Sequence, residues 1–470
     1  MRSTRRLLDP HCSRRHEWRL ASASLRRFCA LSALAAAAVV GCSSSDEPGV
    51  SPPPDAGVGD PDAMMDSADA AADSSVRDAG TFEGAPRPVV CESSPCATAL
   101  VTTLGRNVDD KGEGFCVLLD DGTVACWGAN GAGQLGRGEG EGEALVDSST
   151  AVRVEGLSNV ASLDHTCAVD KGGGVWCWGT GPFSWTEDGG VVSATHTIPV
   201  KLALPPVTKV ARSFATACAI VGGDVQCWGS NALGQLGPVT GTFSGEPQRI
   251  ALPEGALASS LEVGNATFVV RADGAVVSWG GNPGIGRVSP STPDSRPQAV
   301  LLERVTQVDS AYDNTCAIAN GVGHCWGARL TPFEGTALDR ALPRPVAAPE
   351  RLVQIATTRT EGYFEGGVSA VRDFKPYRWC AVGASGSVYC WGFNESGQAG
   401  TGNEEYVMHA ARVAGLPEKA LVAQVKTTVN TTCALLTTGK VHCWGSNYDG
   451  QLGNGRNRGK GLAPTEVILP

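Results

Sequence analysis

CAVDKGGGVWCWG, Cys167 to Gly179, is the stretch on which the fold turns. Two short apolar runs flank a glycine-rich turn, each run carries a cysteine, and the second ends in Trp-Gly. This reads as a β-hairpin whose strands face each other through the two thiols. Trp-Gly then recurs at Trp127, Trp178, Trp228, Trp279, Trp326, Trp391 and Trp444, at spacings of 51, 50, 51, 47, 65 and 53 residues. A repeat of this length outranks chain length as a guide to domain organisation. Several units continue with Asn-x-x-Gly-Gln-Leu-Gly, at Asn130–Gly136, Asn231–Gly237 and Asn447–Gly453. A further short strand follows near a proline, in RPQAVLL at Pro297, PRPVAAP at Pro345 and APTEVIL at Pro464. Three or four strands per unit predict one propeller blade each, so an all-β, seven-bladed β-propeller is expected over residues 87–470. The 60 glycines and 28 prolines suit many tight turns and suit long helices poorly.

The hairpin spacings test this. Cys316 and Cys325 lie nine apart around Asn320-Gly321, and Cys218 and Cys227 nine apart around Gly222-Gly223, both suited to two-residue turns. Four further pairs lie ten apart: Cys116 with Cys126, Cys167 with Cys177, Cys380 with Cys390, and Cys433 with Cys443. These need three-residue loops with glycine last, where Gly122, Gly173, Gly386 and Gly439 stand. Both turns place the thiols opposite each other at a non-hydrogen-bonded site, with Cα atoms about 4.5–5.5 Å apart, within disulfide range. The fourth unit has Phe268 and Ser278 instead, and loss of both cysteines together is what mutual bonding predicts. Disulfides are therefore expected at these six pairs, with Cys91 and Cys96 as a seventh where the chain enters the array. Reduced core thiols are the alternative. Zinc fits a nine- or ten-residue spacing poorly, and no metal or cofactor is expected.

Residues 28–40, FCALSALAAAAVV, form an apolar run of 13 behind Arg26-Arg27, too short for a permanent membrane span. The run closes on Gly41-Cys42 followed by three serines, which resembles the lipobox of bacterial lipoproteins. That resemblance implies a signal peptide over 1–41 and lipidation of Cys42; an ordinary secretory signal is the alternative. Residues 43–86 hold ten acidic residues against Arg77 alone and hardly a large apolar side chain. The stretch 42–86 is thus expected to be a disordered, self-repelling tether. The formal charge of −10 argues against nucleic acid as a partner.

Cys-Ala-Leu, Gly-x-Val, Cys-Trp-Gly and Asn-x-x-Gly-Gln-Leu-Gly together resemble the repeats of the regulator of chromosome condensation family over about residues 96–470. The resemblance implies seven blades, one of them combining strands from both chain ends. On that basis APTEVIL is expected to complete the blade of Cys116 and Trp127, in competition with the RPVV run around Val89. The family's namesake exchanges guanine nucleotide on a small GTPase and binds chromatin, activities that sit poorly with an acidic exported protein. A similar group, the propeller-type secreted inhibitors of β-lactamases, binds targets through loops on one face.

The chain contains no phosphate loop, no HExxH and no Gly-x-Ser-x-Gly elbow. His165, His324 and His442 stand beside hairpin cysteines and read as structural. The longest insertion, between Trp326 and Trp391, gathers Tyr363, Phe364, Arg372, Phe374, Tyr377, Arg378 and Trp379, types enriched in interface hot spots. These form the candidate binding loop, with cover for an oversized blade as the alternative. The function expected is a non-catalytic scaffold at the cell envelope, anchored to membrane by lipid, binding a protein or glycan and acting as a monomer. An exported hydrolase or lyase using the propeller channel is the alternative, and guanine-nucleotide exchange a further one. An enzyme would place Asp, Glu or His at equivalent channel positions of several blades, where the sequence is read as mainly small and apolar.

Overall fold

The computed structural model describes residues 81–470, apart from 106–111, 139–144, 186–190, 313, 328–340, 360–361, 364–372 and 375–377. The expected signal peptide, Cys42 and most of the expected tether lie outside the described residues. Seven four-stranded antiparallel sheets follow one another along the chain, each built from strands in chain order, with a two-stranded ribbon inserted between the first two strands of blade six. Blade one runs Ala97–Thr102, Gly114–Leu119, Val124–Gly128, Ser148–Arg153, and blade seven runs Val422–Thr427, Thr431–Leu436, Val441–Ser446, Lys460–Glu466. The first strand of every blade lies innermost and touches its counterparts in both neighbouring blades, including blade seven against blade one, so the ring is closed. Second and third strands form the Cys–Cys hairpin, whose turns mark one end of the ring, here the hairpin end. The connections from first to second and from third to fourth strands mark the opposite, mouth end.

The two turn lengths behave as their glycines require. Asn320 and Gly321 have φ of 48° and 76°, and Gly222 and Gly223 of 59° and 93°, the left-handed pairs of a two-residue hairpin. In the longer loops Gly122, Gly173, Gly386 and Gly439 lie between 78° and 87°. Both turns bring the cysteines directly opposite in register. Cys218 faces Cys227 and Cys316 faces Cys325 across the short turns. Across the longer loops Cys116 faces Cys126, Cys167 faces Cys177, Cys380 faces Cys390 and Cys433 faces Cys443. The Cα atoms of these six pairs are 4.0–4.1 Å apart, closer than the 4.5–5.5 Å expected from sequence. The expected spacing is corrected to that extent, because a cystine draws the two strands together at a non-hydrogen-bonded site.

Blades are joined by a repeated bond that the Asn-x-x-Gly-Gln-Leu-Gly loops, and their Ala399 counterpart at Asn394–Gly400, supply. Asn130, Asn231, Asn394 and Asn447 each accept, through Oδ1, the backbone N–H five residues on, which fixes the loop. The carbonyl of the loop glutamine then accepts the indole N–H of the next blade's buried tryptophan. The distances are 2.8 Å for Trp178 on Gln134, 2.6 Å for Trp279 on Gln235 and 2.9 Å for Trp444 on Gln398. A neutral bond of this kind contributes roughly 1 kcal/mol, and leaving a buried indole N–H unmade costs more. Ring closure uses the same bond, since Trp127 of blade one donates to Gln451 O of blade seven at 2.8 Å.

That closure corrects the strand-sharing expectation. The strand containing APTEVIL pairs with Val441–Ser446 and completes its own blade seven, and blade one is complete without it. What crosses the seam is a pair of bonds from the C-terminal region to the outer strand of blade one, Ala151 N to Ile468 O (3.1 Å) and Gly455 N to Ser149 O (2.8 Å). RPVV does not form a blade strand either. It belongs to a strap, residues 82–96, that crosses the hairpin end. Phe82 N donates to Asn320 Oδ1 (2.8 Å), and the Arg351 guanidinium sits 6.0 Å from the Phe82 ring. Glu83 pairs with Arg304 at 2.9 Å, Arg87 donates to Ala384 O at 3.2 Å, and Val90 N to Thr437 O at 2.7 Å. Cys96 and Asp120 exchange bonds of 2.9 and 3.2 Å, and Ala97 N donates to Gly439 O at 3.0 Å. The strap therefore touches the hairpin tips of blades five, six, seven and one in turn, and Phe82, within the stretch expected to be a tether, is already packed on the ring.

Candidate functional site

The mouth end at blades six, seven and one is where the candidate loop stands. Blade six carries an extra two-stranded ribbon, with Gly362 opposite Phe374 and Tyr363 opposite Asp373, in the connection between its first and second strands. Phe364, Arg372 and Tyr377 lie outside the described residues, as do the side chains of Tyr363 and Phe374. The neck of the insertion is tied by Thr358 Oγ1, which donates to Arg378 O at 3.3 Å.

One member of the candidate set, Arg378, is buried, and a second, Trp379, is partly so. Arg378 is 1% exposed. Its guanidinium donates to Thr432 Oγ1, to the carbonyls of Thr428 and Thr431 (the latter at 3.3 Å) and to Gln398 O at 3.2 Å. Burial pulls it down to about 9, partly offset by Glu113, so it stays charged at neutral pH. Trp379 is partly buried against the core of blades five and six, its ring 5.7 Å from that of Trp391. An aromatic-and-arginine composition could not tell that Arg378 is buried, because a charged side chain enters a core when backbone carbonyls surround it.

From the other side blade one answers with Glu113, which accepts Thr428 Oγ1–H at 2.8 Å and Asn430 N–H at 3.2 Å. Burial raises its carboxyl above the ordinary value, opposed by those two bonds and by Arg378. The tight Thr428–Thr431 turn of blade seven is thus held between Arg378 of blade six and Glu113 of blade one. This fastens the root of the insertion to the ring.

The channel holds what the sequence reading missed. Asp164, Glu262 and Asp309 occupy matching inner-strand positions of blades two, four and five, each opposite the first hairpin position of its blade. Lys426 holds that position in blade seven. Each acid accepts the backbone N–H of the next blade's inner strand: Asp164 from Arg212 at 2.9 Å, Glu262 from Ser310 and Asp309 from Thr357 at 2.8 Å. Lys426 Nζ reaches Asp309 Oδ1 at 3.5 Å across the ring. Burial lowers the Lys426 ammonium, but Asp309, Glu262 and Asp164 together raise it above its ordinary value. Two residues earlier, Gln307, Gln354 and Gln424 accept the amides of Ile355, Val425 and Leu100 in the same way. The signal lay in the run of an apolar residue followed by the channel residue, as in Leu163-Asp164, Leu261-Glu262, Val308-Asp309 and Val425-Lys426. Variable spacing from that position to the hairpin hid it.

These acids are spent on joining blades. Among the described residues no three His, Cys, Asp or Glu side chains gather as metal ligands. His165 Nδ1 lies 3.0 Å from Thr102 Oγ1 of blade one, joining two blades, and His324 Nδ1 lies 3.1 Å from Val322 O within its own blade. A cleft of about 450 Å³ opens elsewhere, at the hairpin end between blades three and four, lined by Arg249, Pro253, Leu257 and Arg271. Seven cysteine pairs stand at bonding distance: Cys91 with Cys96 in the strap, and in the blades Cys116 with Cys126, Cys167 with Cys177, Cys218 with Cys227, Cys316 with Cys325, Cys380 with Cys390 and Cys433 with Cys443. This fits an oxidising, exported environment. Among the described residues no helix is long and apolar enough to cross a membrane.

Blades of this form, joined by indole-to-loop bonds around a charged channel, define a seven-bladed repeat propeller. The repeats themselves are of a known kind: residues 385–435 and 438–470 match the Regulator of chromosome condensation (RCC1) repeat, and a second profile of the same description matches 422–451. The Ultraviolet-B receptor UVR8 of Arabidopsis thaliana is 26% identical over 359 residues, 74% of this chain and 78% of that one. Human WBSCR16 has the same fold at 18% identity and a TM-score of 0.59, covering 74% of this chain and 95% of that one. Yeast RCC1 (Prp20), solved with Kap60 bound, gives 18% identity and a TM-score of 0.57 over 73% of this chain and 83% of that one.

Proposed function

We propose that this protein is an exported, lipid-anchored, non-catalytic scaffold that binds another protein through the mouth end of its propeller, with the blade-six insertion as the contact arm. The observation that carries the reading is the root of that arm. Arg378, Glu113 and Thr358 fix it at the mouth, while the strap occupies much of the opposite end. A loop seated on a rigid scaffold loses less entropy on binding than a free one. A propeller relative solved with a protein partner, yeast RCC1 with Kap60, supports the class of activity. The lipid anchor rests on Cys42 and the export reading on the seven cysteine pairs. The channel acids favour a hydrolase less, because their oxygens already hold backbone amides and Lys426.

The test is capture of partners from envelope extracts by the whole chain and by a variant in which 361–376 is replaced by a short Gly-Ser linker. That replacement leaves Thr358, Arg378 and Trp379 in place. Loss of a partner with an unchanged melting temperature supports the reading. An unchanged set of partners sinks the choice of arm, and hydrolysis abolished by Asp309→Asn would sink the non-catalytic reading.

A further inference from the structure

We infer that the strap is the clasp of the ring and that Cys91–Cys96, the pair within it, is the chain's site of thiol–disulfide exchange with a dithiol reductant. The inference rests on the reading that the cysteine pairs are oxidised. Twelve hairpin cysteines, two in each of six blades, are at most 1% exposed, sealed between neighbouring blades. Cys91 is exposed, as are its neighbours Glu92, Ser93, Ser94 and Pro95, whereas its partner Cys96 is 1% exposed. Exchange requires a thiolate to approach one sulfur along the S–S axis, so access decides which pair reacts.

The place of this pair gives the reaction a consequence. Among the described residues no sheet is shared between the chain ends, so blades seven and one meet through side-by-side contacts. The staple lies over that seam. On its near side Val90 is bonded to Thr437 and Ala97 to Gly439 of blade seven, and on its far side Cys96 and Ser94 are bonded to Asp120 of blade one, the latter at 2.7 Å. Closing the six-residue loop holds both sets of bonds in one geometry. Opening it leaves residues 82–95 joined to the ring by surface contacts that are individually weak.

In the exchange, a thiolate of the dithiol attacks Cys91 Sγ, the bond to Cys96 breaks, and Cys96 leaves as a thiolate that takes up a proton. The second thiol of the reagent then displaces Cys91. The dithiol is oxidised by two electrons to its cyclic disulfide, and both cysteines are reduced to thiols.

The experiment treats the folded full chain with dithiothreitol at increasing concentration, quenches with an alkylating mass tag and maps the tagged peptides. Cys91 and Cys96 are expected to be tagged at least tenfold faster than any hairpin cysteine, which should react only after unfolding. Equal rates would overturn the inference. Tagging of the hairpin cysteines before any reductant is added would instead overturn the oxidised reading on which it rests. A glutamate-specific protease then reads the clasp: cleavage after Glu83 should accelerate on reduction and in the double variant Cys91→Ser with Cys96→Ser, with a lower melting temperature in both. If Glu83 stays equally protected in the double variant, the strap is not held by its staple.

Discussion

At the residue scale the outer strands carry a pattern whose exceptions are informative. Three residues before the apolar residue that ends each outer strand stand Ala151, Pro199, Pro247, Pro297, Pro343, Ala410 and Pro464, counted from Val154, Leu202, Ile250, Val300, Val346, Val413 and Val467. The amides of Val154, Leu202, Val346, Val413 and Val467 bond inward to the third strand, so the amide three residues earlier points away from it. Proline costs no ladder bond there and blunts the sheet edge. In blade one that outward amide is used, by Ala151 N on Ile468 O. Ala410→Pro should therefore raise stability by about 0.4–1 kcal/mol through the unfolded chain. Ala151→Pro should lower it by about 1 kcal/mol, since it removes a seam bond. Thermal melting of the two variants checks the pair, and a shift of the same sign in both would refute the assignment. A second residue-scale expectation concerns Asp294, 1% exposed, which accepts bonds from Arg287 and Ser289 at 2.8 and 2.7 Å. Burial works to raise its carboxyl, but Ser289, Arg287 and the Arg296 amide outweigh it and hold it well below the ordinary range. A lowered carboxylate stabilises the fold above the unfolded value and loses that contribution as pH falls. Asp294→Asn should thus cost about 3 kcal/mol at pH 7 by stranding Arg287, with the gap to wild type narrowing below about pH 4. A gap in melting temperature that is flat from pH 7 to 3 would contradict it.

At the scale of elements, blade four shows what the Cys–Cys hairpin is exchanged for. Phe268 fills the first cysteine position and meets Trp326 of blade five edge-on, with ring centroids 5.8 Å apart. Ser278 fills the second and donates its Oγ–H to Ile285 O at 2.5 Å. Restoring a disulfide with Phe268→Cys and Ser278→Cys together would add at most about 2–3 kcal/mol, since the closed loop is short. Removing most of a buried phenyl ring costs about 3 kcal/mol or more. The double variant is expected to oxidise, as a mass loss of two hydrogens, and yet to melt no higher than wild type. A clear rise would mean that the aromatic contact contributes little. This blade also shows why hairpins were readable in the chain and other parts were not. Turn glycines, cysteine spacing and Trp-Gly are local constraints, so seven blades and both turn types followed from them. The path of the outer strand was misassigned because pairing of APTEVIL depends on which hairpin lies nearest in space. Arg378 was misread for the same reason: its partners Gln398, Thr428 and Thr432 come from other parts of the chain.

At the scale of the whole molecule the channel charges matter most, because besides joining neighbouring blades they link blade seven to blade five through Lys426 and Asp309. At four matching inner-strand positions Asp164, Glu262 and Asp309 are negative and Lys426 positive, while the buried Arg212 of blade three adds a cation beside Asp164; the acids are also held by bonds to backbone amides. Lys426 is the cation facing all three acids, and each of them raises its affinity for a proton. Replacing it as Lys426→Met keeps much of the length of the side chain and removes the charge. Asp309, with a side chain 4% exposed, then keeps the Thr357 amide but loses the ammonium, and repulsion among the three carboxylates is offset less. A cost of roughly 1–3 kcal/mol at pH 7 is expected, in line with breaking a half-buried pair. The ammonium is held above its ordinary value, so its contribution to stability is fully present below about pH 10 and is lost as pH rises through the folded value. The lead of wild type over Lys426→Met should therefore hold through neutral pH and shrink above about pH 10.5. Added salt should narrow the gap as well. Melting curves of wild type and Lys426→Met from pH 7 upwards decide the matter. A deficit that does not shrink above about pH 10.5 would show that Lys426 contributes by packing its chain rather than by its charge.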